Sequence, residues 1–326
     1  MNASPLVSIL IPCCNNDRWV TEAVQSCLDQ TYVTVEIIVV DDGSTDGSVK
    51  VLQAFGSSIN LITGPNRGGG AARNSALRAS SGEFIQYLDA DDLLDATKIE
   101  EQVHLLRSGP PGLLSVCDWV SFRDGTPPAS GTCKTGWPMV DSDDPLAWLI
   151  DLLGPDGQGS MVPVHSWLAP RFVLEAAGPW DEKLQRNQDG EYFARVVLHS
   201  TGIRRSGPGR CYYRRHPGGV SVIAGTSDSR IRSSLLALDS MREQILMRTT
   251  DEKARRALAA QYMGIAIAAY PTYPNVADLA ERRARDLGFG EAVLRNANPR
   301  LGGLGRFIGW RAARRVGLAM RLVRLR

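Results

Sequence analysis

The sequence lacks several features that would each define a class of protein. Its 326 residues contain six cysteines but no CxxC pair, so neither a zinc site nor a disulfide framework is indicated, and a reducing, cytoplasmic location is expected. No uncharged apolar stretch reaches the length of about 18 residues that a membrane-spanning helix needs. The first apolar run has no basic residue before it and is interrupted by Pro12, so a secretory signal peptide is not expected either.

A large net charge is also absent. The total of +2 argues against a nucleic-acid partner bound by bulk charge. The two signs are nevertheless unevenly distributed, because nine arginines and no acidic residue lie between Ala292 and Arg326. The rest of the chain holds 28 basic and 35 acidic side chains and carries a net charge of −7. A mildly acidic body and a strongly basic tail therefore need separate explanations.

Short apolar runs rich in β-branched residues recur in the first part of the chain, with helix-like stretches between them. The runs are Val7–Ile11, Val35–Val40, Asn60–Thr63 and Glu83–Leu88. Because each connection is long enough for a helix, the pattern predicts a doubly wound α/β fold with right-handed crossovers and a mainly parallel sheet.

Later segments are more varied. Further strands are predicted at Leu113–Phe122, Met161–Leu168 and Arg210–Arg215, and an irregular segment at 125–159 surrounds one short helix. From Ser227 onward the pattern is almost wholly helical.

Acidic residues follow two of the predicted strands directly, and they define the most informative feature of the sequence. They are Asp41, Asp42, Asp89, Asp91 and Asp92. Parallel strands end at one edge of a sheet, so these carboxylates would crowd together there unless some protonate or a cation intervenes. Hard divalent ions prefer such oxygen ligands. The alternative is that individual aspartates cap the helices that follow.

A glycine-rich turn, Gly64–Asn74, precedes the last of these strands. Its three consecutive glycines would let backbone amides approach an anion, with Arg67 or Arg73 supplying charge, although such a turn can also be only a turn. It matches neither the Walker spacing nor GxGxxG, which disfavours ATP hydrolysis and dinucleotide binding.

The motifs at these positions are VSILIPCCNN, VEIIVVDDGSTDGS, GPNRGGGAARNSAL and FIQYLDADD. In this order and spacing they resemble glycosyltransferase family 2 enzymes of the GT-A fold, over residues 5–225. The resemblance implies a mixed, mainly parallel sheet flanked by helices, a nucleotide-diphosphate sugar donor, and transfer with inversion at the anomeric carbon. Residues 1–110 would bind the nucleotide sugar, 111–225 would bind the acceptor and supply the base, and 226–326 would form a helical C-terminal region.

The resemblance also implies the donor contacts. Asp42 would hydrogen-bond the base, while Arg73 and the turn from Pro12 to Cys14 would line the nucleoside. Cys14 departs from the family, which usually places a base-stacking aromatic residue there, so a UDP-sugar is a preference rather than a conclusion.

The implied metal site is a DxD pair. Asp89 would lie near the ribose and diphosphate, and Asp91 would bind a divalent ion, Mn²⁺ or Mg²⁺. His216 resembles the residue at the end of the catalytic region that reaches the diphosphate or the metal, and neutral imidazole is a common ligand of transition metals. The alternative for His216 is a surface or phosphate contact.

The base that deprotonates the acceptor hydroxyl is assigned by the same resemblance. Asp189 occupies the position of the family's catalytic aspartate, eight residues after Asp181, with Gln188 in place of the commoner Glu. A carboxylate at the start of a helix stays ionised, which suits a base. Glu191 is the second candidate, and a plain helix cap is the alternative role for Asp189.

The basic tail has two readings. On a helix, Arg306, Arg321 and Arg324 share one face, with an apolar face roughly opposite that Arg311 and Arg315 interrupt. One interpretation is a helix on an anionic membrane surface, peripheral to the inner face of the cytoplasmic membrane and near a lipid-linked acceptor. The other is a helix docked on the body with its arginines facing the acidic catalytic half. The residues assigned to the apolar face are Leu304, Phe307, Ile308, Leu318, Leu322 and Leu325.

Two rival functions remain. A sugar nucleotidyltransferase also uses an α/β sheet and a carboxylate-bound metal, but it should carry a glycine-rich phosphate loop after the first strand, where this chain has Pro12–Asn15. A non-catalytic carbohydrate-binding protein of the same fold should have lost the acids that are present here. The acceptor, a glycan or a lipid-linked sugar, is not specified by any motif.

Overall fold

The computed structural model describes residues 4–155, 157, 159–216, 227–290 and 308–318. The chain divides into two compact units. Described residues of the first unit are 4–145, 162–183 and 192–216, and those of the second are 146–155, 157, 159–161, 184–191, 227–290 and 308–318. The domain boundaries predicted at residues 110 and 225 stay predictions.

Strands and helices alternate in the first part of the chain, and helices dominate the last part. The strands are β1 (Val7–Cys13), β2 (Val35–Asp42), β3 (Asn60–Gly64), β4 (Phe84–Tyr87), β5 (Leu93–Leu94), β6 (Leu113–Val116), β7 (Trp119–Arg123), β8 (Thr132–Lys134), β9 (Trp167–Pro170), β10 (Gly202–Arg205) and β11 (Cys211–Arg215). The helices are α1 (Val20–Leu28), α2 (Ser48–Gln53), α3 (Gly69–Ala79), α4 (Lys98–Ser108), α5 (Pro145–Leu153), α6 (Arg171–Ala177), α7 (Gln188–Leu198), α8 (Asp228–Leu246), α9 (Glu252–Ala269), α10 (Pro274–Asp286) and α11 (308–318).

The first unit is built on a seven-stranded sheet in the order β10-β6-β9-β4-β1-β2-β3. β1 is parallel to both neighbours, with Leu10 opposite Ile38 of β2 and Tyr87 of β4. These side chains are fully or almost fully buried, and each buried aliphatic side chain stabilises the fold by about 1.5–3 kcal/mol. The mixed, mainly parallel sheet expected from the sequence is confirmed. Its central strands end at one edge, where their aspartates converge.

β9 is the exception, because it runs antiparallel between β4 and β6. The strand predicted at Met161–Leu168 is wrong in its bounds: the chain first makes a 3₁₀ turn at Val164–Ser166 and becomes extended only at Trp167. Pro163, with no N–H to donate to a neighbouring strand, leads into this turn.

A second sheet of four strands has the order β5-β11-β7-β8. The single strand predicted at Leu113–Phe122 is therefore two strands, β6 and β7, which belong to different sheets. The chain turns between them because the buried Asp118 carboxylate accepts two hydrogen bonds from the Arg205 guanidinium, at 2.9 and 2.5 Å. β11 lies parallel to β7, with Arg214 opposite Phe122.

The second unit is helical, as its sequence pattern predicted. α9 and α10 pack through small side chains, which allow a close approach of the two helices. Their buried alanines are Ala254, Ala257, Ala259, Ala260, Ala266, Ala269, Ala277, Ala280 and Ala284. Replacing one of these alanines by a larger residue would overpack the interface between the two helices.

The described part of the basic tail, α11, docks within this second unit. Arg311 forms ion pairs of 2.6 Å with Asp278 and Glu281 of α10, so its described carboxylate partners belong to the second unit itself. Trp310 and Ala313 are buried, whereas Ile308, assigned to the apolar face, is 46% exposed. The apolar face was misplaced because Arg311 can pack its stem and stack on aromatic rings while staying paired. Arg306, Arg321, Arg324 and the remaining predicted apolar residues except Leu318 lie outside the described residues.

Candidate active site

The carboxyl ends of β1, β2 and β4 form one wall of a cleft of about 290 Å³ in the first unit. Its lining includes every donor-binding residue predicted from the sequence except His216, together with Asp91. The lining residues are Pro12, Cys13, Cys14, Asn16, Asp42, Gly69, Ala72, Arg73, Asp89, Ala90 and Asp91. The three strands bring these distant residues together because parallel strands end at a common edge.

Asp42 holds the glycine-rich turn at this cleft. Its two carboxylate oxygens accept the backbone N–H groups of Arg67 and Gly68, each at 2.7 Å. Gly68 has a φ of +95°, in the region that glycine adopts without strain, and α3 begins directly after it. Asp42 therefore shapes the turn as well as lining the cleft, and its predicted contact with the base stays a prediction.

Arg73 projects from α3 into the same cleft. Its guanidinium is 2.6 Å from Asp89 and lies over the ring of Trp180, 4.7 Å from the centroid. Trp180 is buried and stacks on Tyr192 with 4.0 Å between ring centroids. Arg73 is thus held by a carboxylate on one side and an anchored aromatic ring on the other, with 12% of its side chain exposed. This arrangement fixes a positive charge beside the DxD pair.

Asp91 and His216 are in direct contact, as neighbouring metal or phosphate ligands would be. The His216 Nε2 atom lies 2.6 Å from Asp91 Oδ2, and its ring packs against Trp19 with 4.4 Å between centroids. His216 is separated from Asp91 by more than a hundred residues of sequence, and β11 delivers it to the edge. The fold brings the two residues together, and their predicted role as metal ligands stays a prediction.

Asp92 forms a second aspartate–histidine contact, which the sequence analysis did not anticipate. His165 Nδ1 lies 3.2 Å from Asp92 Oδ2, and both residues are buried. Burial and the neighbouring charges of Asp91 and Asp89 raise the pKa of Asp92 well above its usual value, while burial lowers the pKa of His165 to about 4. Ligand atoms of Asp89, Asp92 and His165 lie within 4.8 Å of one another, so they could hold a cation. A single histidine in the otherwise apolar run VPVHSWLAP was the available signal.

Asp189, the predicted base, lies in the second unit at the beginning of α7, and its side chain is exposed. The helix begins at Gln188, directly after Asn187, which adopts a φ of +57° and whose carbonyl accepts the Glu191 N–H. Glu191, the second candidate, is buried and accepts a 2.8 Å hydrogen bond from Ser240 of α8. Asp189 is thus open to solvent whereas Glu191 is not, and the predicted role of either residue as the base stays a prediction.

Comparison with known proteins gives the same family as the motifs. The profile described as glycosyl transferase family 2 matches residues 8–137. Over 103 residues the chain is 41% identical to the Escherichia coli UDP-Glc:alpha-D-GlcNAc-diphosphoundecaprenol beta-1,3-glucosyltransferase WfgD, covering 31% of this chain and 41% of that protein. The chain spans between 32 and 42% of the length of the first curated relatives that it matches.

Solved structures of similar fold extend over nearly the whole chain. Staphylococcus aureus TarS 1–349 in complex with UDP-GlcNAc superposes with a TM-score of 0.68 at 18% identity, covering 97% of this chain and 91% of that one. The Pyrobaculum calidifontis mannosyltransferase PcManGT, in complex with GDP-Man and Mn²⁺, gives a TM-score of 0.53 at 17% identity, covering 99% and 88%. At these identities the likeness establishes the fold, which is therefore of the GT-A type. Among the helices in the described ranges, none is both long and apolar enough to span a bilayer.

Proposed function

We propose that this protein transfers a sugar from a nucleotide-diphosphate sugar to a hydroxyl group of a glycan or lipid-linked acceptor, in keeping with the match of residues 8–137 to the glycosyl transferase family 2 profile. The observation that carries the proposal is the cleft at the sheet edge, which gathers Asp42, Arg73, Asp89 and Asp91 around one space. Positive and negative groups in this arrangement suit a diphosphate with its counter-ion better than they suit an uncharged sugar alone.

A UDP-sugar is the proposed donor. The S. aureus structure of similar fold contains UDP-GlcNAc, and the E. coli relative is named for UDP-Glc. The base would rest against Cys14, a half-buried thiol that accepts a 3.2 Å hydrogen bond from Asn66, in place of an aromatic ring. Weaker stacking at this position leaves Asp42 as the main polar contact for the base, so selectivity among nucleotides depends on it.

The metal proposal rests on the fit between the acidic edge and a divalent ion, Mn²⁺ or Mg²⁺. Asp89 and Asp91 line the cleft, and the pKa of the adjacent Asp92 is raised by burial and, to a smaller extent, by the charges of these two aspartates. Asp91, Asp89 and His216 are the proposed ligands, a set of oxygen and imidazole donors that suits Mn²⁺. The ion would offset negative charge that develops on the departing diphosphate.

Asp189 is the proposed general base, and transfer would proceed with inversion. Inverting transfer needs one group to remove the acceptor proton while the diphosphate departs from the opposite face. Asp189 is exposed in the first turn of α7, where the helix dipole favours its ionised form. Glu191 is engaged with Ser240, which argues against it.

Variants of the two aspartates test these roles separately. Asp91→Ala and Asp189→Asn are each expected to abolish sugar transfer, because one removes a metal ligand and the other the base. Only Asp91→Ala should also weaken metal-dependent binding of the donor, measured by calorimetry with Mn²⁺ and with EDTA. The matched control is Asp29→Asn, an exposed aspartate at the end of α1, which should behave like wild type. Full activity of Asp189→Asn would overturn the base assignment, and a panel of nucleotide sugars would identify the donor.

A cytoplasmic protein held at the inner face of the membrane is the proposed setting. The E. coli relative is named for a diphosphoundecaprenol-linked acceptor, and the tail of this chain is strongly basic. Arg311 is paired with α10 and Arg315 packs over the Tyr270 ring, so the proposed contact with anionic lipid falls to the remaining basic side chains of the tail. Co-sedimentation with anionic liposomes compares the full chain with one that ends near Asn298. Equal binding by the two would contradict the membrane contact and with it the role in envelope polysaccharide synthesis near a lipid-linked acceptor.

A further inference from the structure

Arg214 contacts the turn that carries the DxD pair from two directions. Its side-chain Nε donates a 2.7 Å hydrogen bond to the carbonyl oxygen of Asp91. Its backbone N–H donates a hydrogen bond of the same length to Asp92 Oδ1. Both contacts cross from β11 of the smaller sheet to the end of β4 in the larger sheet, within the first unit. The position of the Asp91–Asp92 peptide is therefore tied to Arg214.

The rest of the guanidinium is engaged as well. Nη2 lies 2.7 Å from Glu22 and Nη1 lies 3.2 Å from Asp124, while the guanidinium packs over the Phe122 ring at 4.8 Å from its centroid. Only 4% of the Arg214 side chain is exposed. A residue with its charge compensated by two carboxylates and its nitrogens turned inward is not placed to bind a donor phosphate. Its contacts instead fix the orientation of the turn that carries Asp91 and Asp92.

Asp124 links this arginine to the other end of Asp91. One oxygen of Asp124 accepts a 3.0 Å hydrogen bond from Trp19 Nε1 and contacts Arg214. The Trp19 ring packs on His216, and His216 contacts the Asp91 carboxylate. Arg214 thus contacts the Asp91 carbonyl, and His216 contacts the Asp91 carboxylate. Arg214 contacts Asp124 directly, whereas His216 is linked to it through the Trp19 ring.

We infer that Arg214 and Asp124 are positioning residues that orient Asp91 for binding of the divalent ion, an inference that rests on the proposed function. The ordinary alternative is that this buried network only stabilises the fold. The two differ in what they predict for metal affinity, because groups that orient a metal ligand usually alter binding of the metal when they are removed. A network that only stabilises the fold would lower the melting temperature and leave metal affinity unchanged.

The test measures Mn²⁺ affinity directly. Free Mn²⁺ is followed by electron paramagnetic resonance while the protein is titrated in the presence of UDP or GDP, whichever gives the tighter wild-type binding. Arg214→Lys keeps the charge but cannot make the contacts to Asp91, Asp124 and Glu22 together, and it should raise the Kd for Mn²⁺ about 10-fold or more. Asp124→Asn should raise the Kd less, and Glu22→Gln least, since the Glu22 side chain is 55% exposed.

Arg205→Lys is the matched control. Arg205 makes a two-bond ion pair with the buried Asp118 in the same unit, but neither residue lines the cleft. The substitution should lower the melting temperature and leave the Kd for Mn²⁺ within twofold of wild type. This control keeps the inference testable even where all the arginine variants are less stable, provided that the folded fraction is measured by circular dichroism.

The possible failures are distinguishable. Equal Mn²⁺ affinity of wild type and Arg214→Lys, the same loss in Arg205→Lys, or no Mn²⁺ binding by wild type would each overturn the positioning role. If wild type binds Mn²⁺ but transfers no sugar from a panel of nucleotide sugars to glycan or lipid-linked acceptors, the proposed function fails. In that case a Kd shift confined to the network variants would still support the positioning role of Arg214 and Asp124.

Discussion

Arginines pair with carboxylates in two regions of this protein, and the two regions use the pairing differently. At the sheet edge of the first unit, Arg214 has only 4% of its side chain exposed. On α11 of the second unit, Arg311 has 38% of its side chain exposed while it pairs with Asp278 and Glu281. Water and salt screen the second group of charges and hardly reach the first. The buried Arg214 guanidinium therefore fixes the positions of the groups around it, whereas the exposed ion pairs of Arg311 contribute little to the free energy of unfolding.

The charge surplus also differs in sign. The sheet edge has more aspartates than arginines, and the repulsion among them contributes to the raised pKa of Asp92. The tail has nine arginines and no acidic residue of its own, so it takes its carboxylates from α10. The half-buried carboxylates of Asp89 and Asp91 lie close enough together to call for a cation that balances them. The excess positive charge of the tail needs no specifically bound ion, because counter-ions in solution or an anionic surface can balance it.

The largest effect is expected from Arg214→Met. Removing one partner of a buried ion pair leaves charges without compensation, so the free energy of unfolding should fall by about 3 kcal/mol or more. Chemical denaturation of full-length wild type and variant, followed by tryptophan fluorescence, measures the change. A loss below about 1 kcal/mol would place Arg214 with the exposed pairs and remove the contrast between the regions.

A much smaller effect is expected from Arg311→Ala. Two exposed ion pairs and the stacking of Arg311 over Tyr270, at 5.5 Å from its centroid, are lost together. We expect a destabilisation of roughly 1 kcal/mol, part of which should disappear in high salt. Denaturation at low and high NaCl gives both values. A loss of stability as large as that of Arg214→Met would show that the exposed pairs of Arg311 stabilise the protein as much as the buried pairs of Arg214.

The smallest effect concerns Glu36, a carboxylate that is held by hydrogen bonds from serine and backbone groups. Partial burial raises the pKa of Glu36, but hydrogen bonds from Ser8 and from the Ser81–Gly82 turn outweigh it, and the pKa is lowered. A lowered carboxyl pKa stabilises the fold above its unfolded value of about 4.3, and this contribution is lost as the pH falls below that value. Glu36→Gln should flatten the fall in stability between about pH 5 and pH 3. Parallel curves for variant and wild type would contradict this assignment.

Much of the candidate site could be predicted because strand ends in a parallel sheet share an edge. Asp42, Asp89 and Asp91 each follow an apolar run directly, and they line one cleft. His165 was missed because β9 runs antiparallel: a residue before this strand, rather than after it, reaches the edge where β4 ends. A prediction that considers only the residues following each strand therefore leaves out His165. The strand predicted at Met161–Leu168 was misplaced for another reason, because the apolar character of the sequence continues through the 3₁₀ turn at Val164–Ser166.

Arg214 could not be assigned for a different reason. Its partners Glu22, Asp91 and Asp124 come from widely separated parts of the chain, and the paired residues of β11 and β7 are more than ninety positions apart. No local pattern distinguishes it from Arg215 beside it. Alternation along β11 buries one of the two and exposes the other, and only the tertiary structure shows which. The apolar face of α11 was misplaced for the same kind of reason, because the ion pairs of Arg311 with Asp278 and Glu281 of α10 are tertiary contacts that no local pattern shows.

The late position of β11 in the chain has a consequence for biosynthesis. During translation the first four strands and their aspartates emerge well before residues 211–216, which carry Arg214 and His216 to the same edge. A nascent chain can therefore assemble the central sheet while the repulsion around Asp91 still lacks its compensating groups. We expect the final docking of β11, rather than formation of the sheet, to convert this intermediate into the native unit, since non-local pairing is the slow event in such folds.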